Sequence, residues 1–230
     1  MNRSMVFFYL SMCSPKQDYG KQLLFVFMKY FFCSMLIVLG MTNIGRADLN
    51  QSLKKFKNKK IGQGEIEKLA RYDYLIRYFA DFSYFVPKHK VNPDFIRALI
   101  LAESGANPGA VSNRKAIGLG QILYSTGKKA AKELSESRTQ FRYVSKATLK
   151  NLKRSDLFDP AVNILLTCYL IAKYNHKFDG RLDLVVSAWN AGENTESLTR
   201  RKHAPFRETE DLIGKINNYF IYLIRHRSFP

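Results

Sequence analysis

Residues 92–105 read NPDFIRALILAESG, and this stretch contains the start and stop signals of one helix. Asn92 is a favourable N-cap, because its side-chain oxygen can accept a hydrogen bond from an unpaired helical N–H group. Pro93 suits the first helical position, where no N–H is needed. Gly105 suits the position after the helix, where a left-handed backbone is common. The sequence therefore predicts a helix over residues 93–104.

Glu103 lies on the face of this helix that should enter the core. At about 100° per residue it shares that face with Ile96, Leu99 and Ile100. A carboxyl group there is partly desolvated, which raises its pKa, and the negative end of the helix dipole acts in the same direction. Such an acid can keep its proton near neutral pH, as a general acid must. The alternative is a solvated or salt-bridged glutamate near a helix end.

Helical periodicity and helix start signals recur along the rest of the chain. Apolar residues at three- and four-residue steps predict an N-terminal helix over residues 65–88, which Pro87 ends. Further helices are expected from Ser125 or Thr126, from Ser145, from Asp159-Pro160, over residues 182–191 and over residues 208–227. No series of alternating strands and no internal repeat appears. The predicted fold class is mainly α, with a very small β element near residues 116–123.

The composition suits a globular domain with a strongly basic surface. The 230 residues include 37 Lys and Arg against 19 Asp and Glu, for a formal net charge of +18. This charge favours polyanionic surroundings. Specific nucleic-acid binding is not expected, because no recognised reading motif accompanies the charge, and charge alone gives only non-specific affinity. The three cysteines and four histidines lack metal-ligand spacing, so neither a metal nor another cofactor is expected.

Residues 1–47 have the features of an N-terminal extension with a signal peptide. Met28 and Lys29 precede a short apolar run, and small residues follow it, with cleavage expected after Ala47. The alternative interpretation is a membrane anchor through residues 23–41, with Lys29 extended towards the membrane surface. Both interpretations place the rest of the chain in the periplasm or outside the cell. Residues 48–64 are polar and rich in lysine, and they are predicted to form a basic linker.

Several short sequence blocks carry a resemblance to a known family. In order, they are Glu103-Ser104-Gly105, Gly118-Leu119-Gly120-Gln121, Asp159-Pro160 through Asn163-Ile164, Ser187-Ala188-Trp189-Asn190-Ala191-Gly192, and Pro205-Phe206-Arg207-Glu208-Thr209. Their order and spacing resemble the catalytic domain of the soluble lytic transglycosylases, relatives of goose-type lysozyme in glycoside hydrolase family 23. The resemblance covers residues 90–225 and places a catalytic domain at residues 89–227.

The resemblance implies a lysozyme-like helical domain with a glycan-binding groove. It implies cleavage of the MurNAc–GlcNAc β-1,4 bond of peptidoglycan with a 1,6-anhydro-muramic end as product, the reaction of a carbon–oxygen lyase. Glu103 would be the single general acid and base, and the Ser104 hydroxyl would orient it. Further residues expected to orient the acid or bind the glycan are Gly118, Gln121, Tyr124, Tyr169, Trp189 and Asn190.

Three positions depart from the family pattern. Gly120 replaces a methionine, which is expected to enlarge the space beside Gln121. Trp189 replaces a tyrosine, so stacking can persist although the phenol hydroxyl is lost. Thr167 stands close to a position where glycine is common.

A second catalytic carboxylate is not expected, although a conventional glycosidase uses two. Asp159 is better explained as an N-cap. Glu193 follows a turn glycine, and Glu208 begins a helix, where an ion-pair role is expected.

Two other functions stay open at the level of sequence. The first is a lysozyme-type hydrolase that adds water to the same bond. The second is a non-catalytic peptidoglycan-binding component of an envelope secretion apparatus. The expected partners are accordingly glycan strands and other cell-wall or secretion-machinery proteins.

Overall fold

The structure is a computed structural model, and it describes residues 48–226. The helices of this part of the chain are α1 Leu49–Phe56, α2 Gln63–Ala70, α3 Asp73–Ala80, α4 Pro93–Ser104, α5 Tyr124–Glu136, α6 Lys146–Lys150, α7 Pro160–Phe178, α8 Leu182–Ala191, α9 Glu196–Thr199 and α10 Arg207–His226. Short 3-10 helices lie at Pro87–His89 and Arg154–Phe158. Over the described range, no helix combines the length and apolar character that crossing a membrane requires. The predicted signal peptide or anchor, residues 1–47, lies outside the described residues.

Helix α4 forms where the sequence predicts it, with the predicted caps. The Asn92 side chain accepts a hydrogen bond from the backbone N–H of Asp94 at 2.8 Å. Gly105 ends the helix with a φ of 60°, a left-handed conformation that costs glycine little. Ile96, Leu99 and Ile100 have no exposed surface. The face that carries Glu103 is therefore the face that enters the core.

Two long helices organise the domain around α4. Helix α7 is buried along most of its length and packs against α3 and α8. Its predicted N-cap is confirmed, since the Asp159 carboxylate accepts from the backbone N–H of Ala161 at 2.7 Å. Helix α10 packs against α1, α4 and α8. Because α10 contacts both α4 and α8, it brings side chains towards the carboxyl ends of these two helices.

The predicted basic linker over residues 48–64 is wrong, because residues 49–56 form α1, which packs on α10. The Ser52 hydroxyl donates to Asp211 Oδ1 at 2.8 Å, and Lys55 pairs with the same carboxylate. A Cβ atom at Gly214 would lie 2.6 Å from the carbonyl oxygen of Ser52, so the two backbones approach closely. The many lysines of this segment are typical of a linker, but the segment forms a helix with one face packed on the core.

The single helix predicted over residues 65–88 is also wrong. Two helices, α2 and α3, occupy this segment, and the backbone leaves helical geometry at Tyr72, with φ −109° and ψ 3°. The break places Asp73 at the start of α3, where its carboxylate accepts from Nε of the buried Arg97 at 2.7 Å. A tertiary ion pair thus accompanies a helix boundary that the apolar pattern does not show.

The small β element expected near residues 116–123 appears as isolated bridges. Ile117 and Ile122 exchange both backbone hydrogen bonds at 3.0 Å, and Val111 pairs with Ile117. No sheet forms within residues 48–226. The mainly α fold class is therefore confirmed.

Candidate active site

Glu103 lies in the last turn of α4, and its side chain lines a groove. The groove, called the Glu103 groove below, has a volume of about 370 Å³. Its lining consists of Glu103, Ser112, Asn113, Arg114, Ala116, Gln121, Leu123, Trp189, Asn190 and Glu208. The indole Nε1–H of Trp189 donates to Glu103 Oε1 at 2.8 Å. The tryptophan thus supplies a hydrogen-bond donor directly to the carboxyl group.

The environment of Glu103 favours its protonated form. The pKa of Glu103 is raised from 4.5 to about 7, chiefly by burial, and the nearby charge of Glu208 acts in the same direction. The hydrogen bond from Trp189 and the charge of Lys215 lower the pKa, but they offset only part of the burial effect. The raised pKa agrees with the prediction from the helix face. Near neutral pH, Glu103 can therefore either give or accept a proton.

The segment from residue 116 to 123 supplies one wall of the groove through Ala116, Gln121 and Leu123, and Asn163 of α7 holds the buried residues between them. The Asn163 amide donates to the carbonyl of Ile117 at 3.0 Å and accepts from the N–H of Gly120 at 2.8 Å. Gly118 has a φ of 78°, and a Cβ atom there would lie 2.3 Å from Asn163 Nδ2. Gly118 is buried and shapes the wall, and its N–H donates to the carbonyl of Ala110 at 2.9 Å. Its expected role in orienting the acid or binding the glycan stays a prediction.

Gln121 lines the groove with its side chain anchored through nitrogen. Its Nε2 donates to the carbonyl of Gly118 at 2.9 Å and to that of Ala110 at 3.2 Å. The Gln121 amide oxygen has no hydrogen-bond partner within residues 48–226. This fixed orientation leaves the oxygen as an acceptor for a ligand donor.

Ser104 does not contact the Glu103 carboxyl group, contrary to the orienting role expected for it. Its hydroxyl lies 2.7 Å from the carbonyl oxygen of Leu119 and 3.2 Å from that of Ile100. Since the helix puts successive residues about 100° apart, Ser104 faces the groove wall while Glu103 faces the groove. Ser104 therefore ties the end of α4 to the wall.

Asn190 also lines the groove, and α10 orients it. The buried Thr209 hydroxyl donates to Asn190 Oδ1 at 2.6 Å. An amide that accepts through oxygen keeps its NH₂ group available as a donor. Gln121 and Asn190 thus offer complementary groups to a ligand, an acceptor and a donor.

Of the three other carboxylates considered from the sequence, Glu208 lines the groove. It forms an ion pair with Arg114 at 2.9 Å, and both side chains are exposed. Glu193 instead pairs with Lys177 at 2.9 Å, away from Glu103. Asp159 caps α7.

Tyr124 and Tyr169, both expected near the ligand, do not line the groove. The Tyr124 hydroxyl donates to the carbonyl of Leu152 at 3.0 Å, and the Tyr169 hydroxyl donates to Glu133. Both hydroxyl groups are therefore engaged elsewhere in the fold. Their positions in the sequence carried no information on which neighbour would cover them.

The expected enlargement beside Gln121 is also wrong. Gly120 is buried, and a Cβ atom there would lie 2.3 Å from Thr167 Oγ1. The threonine of α7 therefore fills the room that the missing side chain leaves. Two of the three departures from the family pattern, Gly120 and Thr167, are thus neighbours in the fold.

Sequence reasoning missed Lys215 of α10, whose charge acts on Glu103. Its Nζ donates to the carbonyl of Ala102 at 2.6 Å. A signal for it exists, because Lys215 lies three residues after Leu212 and four before Tyr219 and therefore on the same face of α10. That position is partly buried.

Within residues 48–226, no three His, Cys, Asp or Glu side chains lie close enough together to hold a metal ion. The chemical groups of the Glu103 groove are one acid of raised pKa, hydrogen-bonding amides and an exposed ion pair. Such groups suit a site for acid–base chemistry on a polar, hydroxyl-rich ligand.

A helical domain with such a groove matches a known class of proteins. Residues 86–211, more than half of the chain, match the family described as the transglycosylase SLT domain, and the chain belongs to this family. It is 32% identical over 154 residues to a Haemophilus influenzae protein described as a soluble lytic murein transglycosylase. This alignment covers 61% of the chain and 24% of the relative, so the chain spans about a quarter of that relative's length.

A solved structure shares the fold. The 70 kDa soluble lytic transglycosylase Slt70 from Escherichia coli superimposes with a TM-score of 0.53 and 21% sequence identity. The match covers 68% of this chain and 24% of Slt70. At this level of identity the similarity concerns the fold alone.

Proposed function

We propose that this protein is a peptidoglycan lytic transglycosylase. It cleaves the β-1,4 bond between MurNAc and GlcNAc and leaves a 1,6-anhydro-muramic end. The observation that carries the proposal is Glu103, an acid with a pKa of about 7 held by Trp189 in a groove with polar walls. Membership of the SLT family supports the same substrate.

The proposed reaction uses one carboxyl group twice. Glu103 donates its proton to the glycosidic oxygen as the bond from that oxygen to C1 of the muramic sugar breaks. The Glu103 carboxylate then accepts the proton of the C6 hydroxyl, and O6 forms a bond to C1. The ring closure is intramolecular, so proximity favours it, and no water is consumed. Glu103 ends the cycle protonated, as it began.

Trp189 determines which oxygen of Glu103 carries the proton in this scheme. An indole N–H can donate but cannot accept a hydrogen bond. Since Oε1 accepts from Trp189, the proposed scheme places the proton of Glu103 on Oε2 and keeps Oε1 as the acceptor. After proton transfer, the same N–H stabilises the carboxylate. The substrate oxygen would therefore approach Oε2.

The other groove residues support a single-carboxyl mechanism. Glu208 is the second carboxylate that lines the groove among the described residues, and its carboxylate is paired with Arg114. Gln121 would accept a hydrogen bond from a sugar hydroxyl, and Asn190 would donate one. Leu123 offers an apolar surface to a sugar ring. The proposed substrate lies outside the cytoplasm, which fits the prediction of a signal peptide in residues 1–47 or a membrane anchor through residues 23–41.

Product analysis tests the proposed function. Purified sacculi are digested with the protein, and the released muropeptides are weighed by mass spectrometry. Anhydro ends are lighter than hydrolytic ends by one water, and we expect anhydro ends. Hydrolytic ends would identify a lysozyme-type hydrolase instead. Binding to sacculi without any cleavage would identify a non-catalytic wall-binding protein.

The pH dependence of cleavage is expected to follow Glu103. Since the free enzyme must hold the proton, kcat/KM falls as pH rises through about 7. In Trp189→Phe the carboxylate loses its hydrogen bond and the pKa of Glu103 rises. The alkaline limb of the kcat/KM profile should then shift to higher pH by about half to one unit.

Trp189→Tyr is the matched control, because a phenol at this position can still donate to Glu103. Its alkaline limb should lie closer to that of the wild type. Initial rates across the pH range measure both variants. If the alkaline limbs of the pH profiles of Trp189→Phe and the wild type coincide, the indole N–H does not act on the catalytic proton.

A further inference from the structure

Lys215 caps the carboxyl end of α4 from a neighbouring helix. Ala102 belongs to the last turn of α4, where carbonyl groups have no partner within the helix. The Lys215 ammonium group donates to this carbonyl at 2.6 Å, and Lys215 is partly buried. The capped residue directly precedes Glu103. The hydrogen bond therefore holds the turn from which the acid projects.

The charges around Lys215 and Glu103 come from three parts of the fold. Lys59, in the segment before α2, repels Lys215, while Glu65 of α2 and Glu103 of α4 attract it. Burial and Lys59 lower the pKa of Lys215, and the two glutamates offset part of this effect. On the side of Glu103, Glu208 of α10 is the repelling charge, and the Trp189 indole is a neutral donor.

Within residues 48–226, the Lys215 ammonium group forms no ion pair with a carboxylate. It packs instead against the Tyr219 ring, 5.8 Å from the ring centre. No ion-paired carboxylate among these residues therefore neutralises the charge that acts on Glu103. A cation held in this way acts on Glu103 most strongly when Glu103 is ionised.

We propose that Lys215 is a positioning residue for the acid of this site. It fixes the last turn of α4, and its charge stabilises the carboxylate that forms when Glu103 releases its proton. The inference rests on the proposed function of Glu103 and adds a residue to it.

Two physical effects act together at this point. The carboxyl end of a helix carries partial negative charge, which opposes the ionisation of a nearby acid. A donor on the last carbonyls reduces that opposition, and a full positive charge adds direct attraction. Without Lys215, Glu103 would hold its proton more tightly and would be a weaker acid towards the glycosidic oxygen. Lys215 thus counteracts the burial that raises the pKa of Glu103.

The test compares Lys215→Met with Lys215→Arg and with Lys132→Met, a change at an exposed lysine of α5. The values of kcat and KM on a soluble glycan are measured from about pH 5 to 9, a range that spans the titration of Glu103. The carboxyl carbon of Glu103 is followed by NMR over the same range, and its signal is assigned by its loss in Glu103→Gln.

For Lys215→Met we expect kcat to fall about tenfold with little change in KM, because the loss concerns the transition state. The alkaline limb and the NMR titration of Glu103 should both move up by about one pH unit. Lys215→Arg keeps a charged donor and should restore most of the activity, while Lys132→Met should behave as the wild type. If Lys215→Met does not fold, Lys215→Gln replaces it, since it removes the charge and keeps an N–H donor.

An unchanged pH profile and NMR titration in the charge-free variant, whatever its stability, would overturn the inference. If Lys215→Arg restored the stability of the wild type but not its pH profile, the inference would be overturned as well. If the wild type releases no cleavage product, the proposed function is wrong, and the NMR titration alone then determines whether Lys215 controls the ionisation of Glu103.

Discussion

Glu103→Gln is expected to reduce glycan cleavage by about a thousandfold or more, since the variant has no proton to donate and cannot accept one. The structural change is small, because the amide oxygen of glutamine can still accept the hydrogen bond from Trp189. Binding to sacculi should therefore persist. Release of soluble muropeptides measures cleavage, and co-sedimentation with sacculi measures binding.

Glu208→Gln provides the matched control for this experiment. It is the same chemical change at the other carboxylate of the Glu103 groove. It breaks an exposed ion pair with Arg114, and such pairs contribute little stability. We expect Glu208→Gln to retain most of the activity. A comparable loss in both variants would indicate a two-carboxyl mechanism, and an active Glu103→Gln would eliminate Glu103 as the acid.

Gly120→Met should destabilise the domain by about 3 kcal/mol or more, because it overpacks a buried position. The Cβ atom would lie 2.3 Å from Thr167 Oγ1. The wall segment cannot easily move away, since the Gly120 N–H is bonded to Asn163 at 2.8 Å. Chemical denaturation of Gly120→Met and the wild type measures the loss of stability.

The double variant Gly120→Met/Thr167→Gly tests whether the two positions compensate each other. It brings both positions nearer to the pattern of the resembling family and removes the clashing hydroxyl. We expect a coupling free energy of about 1–3 kcal/mol in favour of the double variant. Gly109→Met is the control, because a Cβ atom there meets nothing closer than 3.5 Å. If Gly120→Met costs the same stability with and without Thr167→Gly, the two positions do not compensate each other.

Some groove residues could be found from the sequence, while the contacts that orient them could not. The family blocks lead to Glu103, Gln121, Trp189 and Asn190, and the structure brings all four to one groove. The residue that orients each of these side chains could not be predicted from the sequence. Trp189 was expected to offer stacking and shape, but it donates a hydrogen bond to the acid.

The sequence by itself determined what depends on near neighbours in the chain. The caps at Asn92 and Asp159 and the helix face of Glu103 are of this kind, because capping and periodicity act over one or two turns. The predicted raised pKa of Glu103 follows from the same local pattern, since a position on the core face is desolvated.

Only the tertiary structure decided which element covers each face. Helix α1 lies on α10, Lys215 reaches the end of α4, and Thr167 occupies the room beside Gly120. These contacts join residues far apart in the chain, and helical spacing relates positions only within one element. Packing of the helices selects the partners, and so the groups that tune Glu103 appear only in the folded domain.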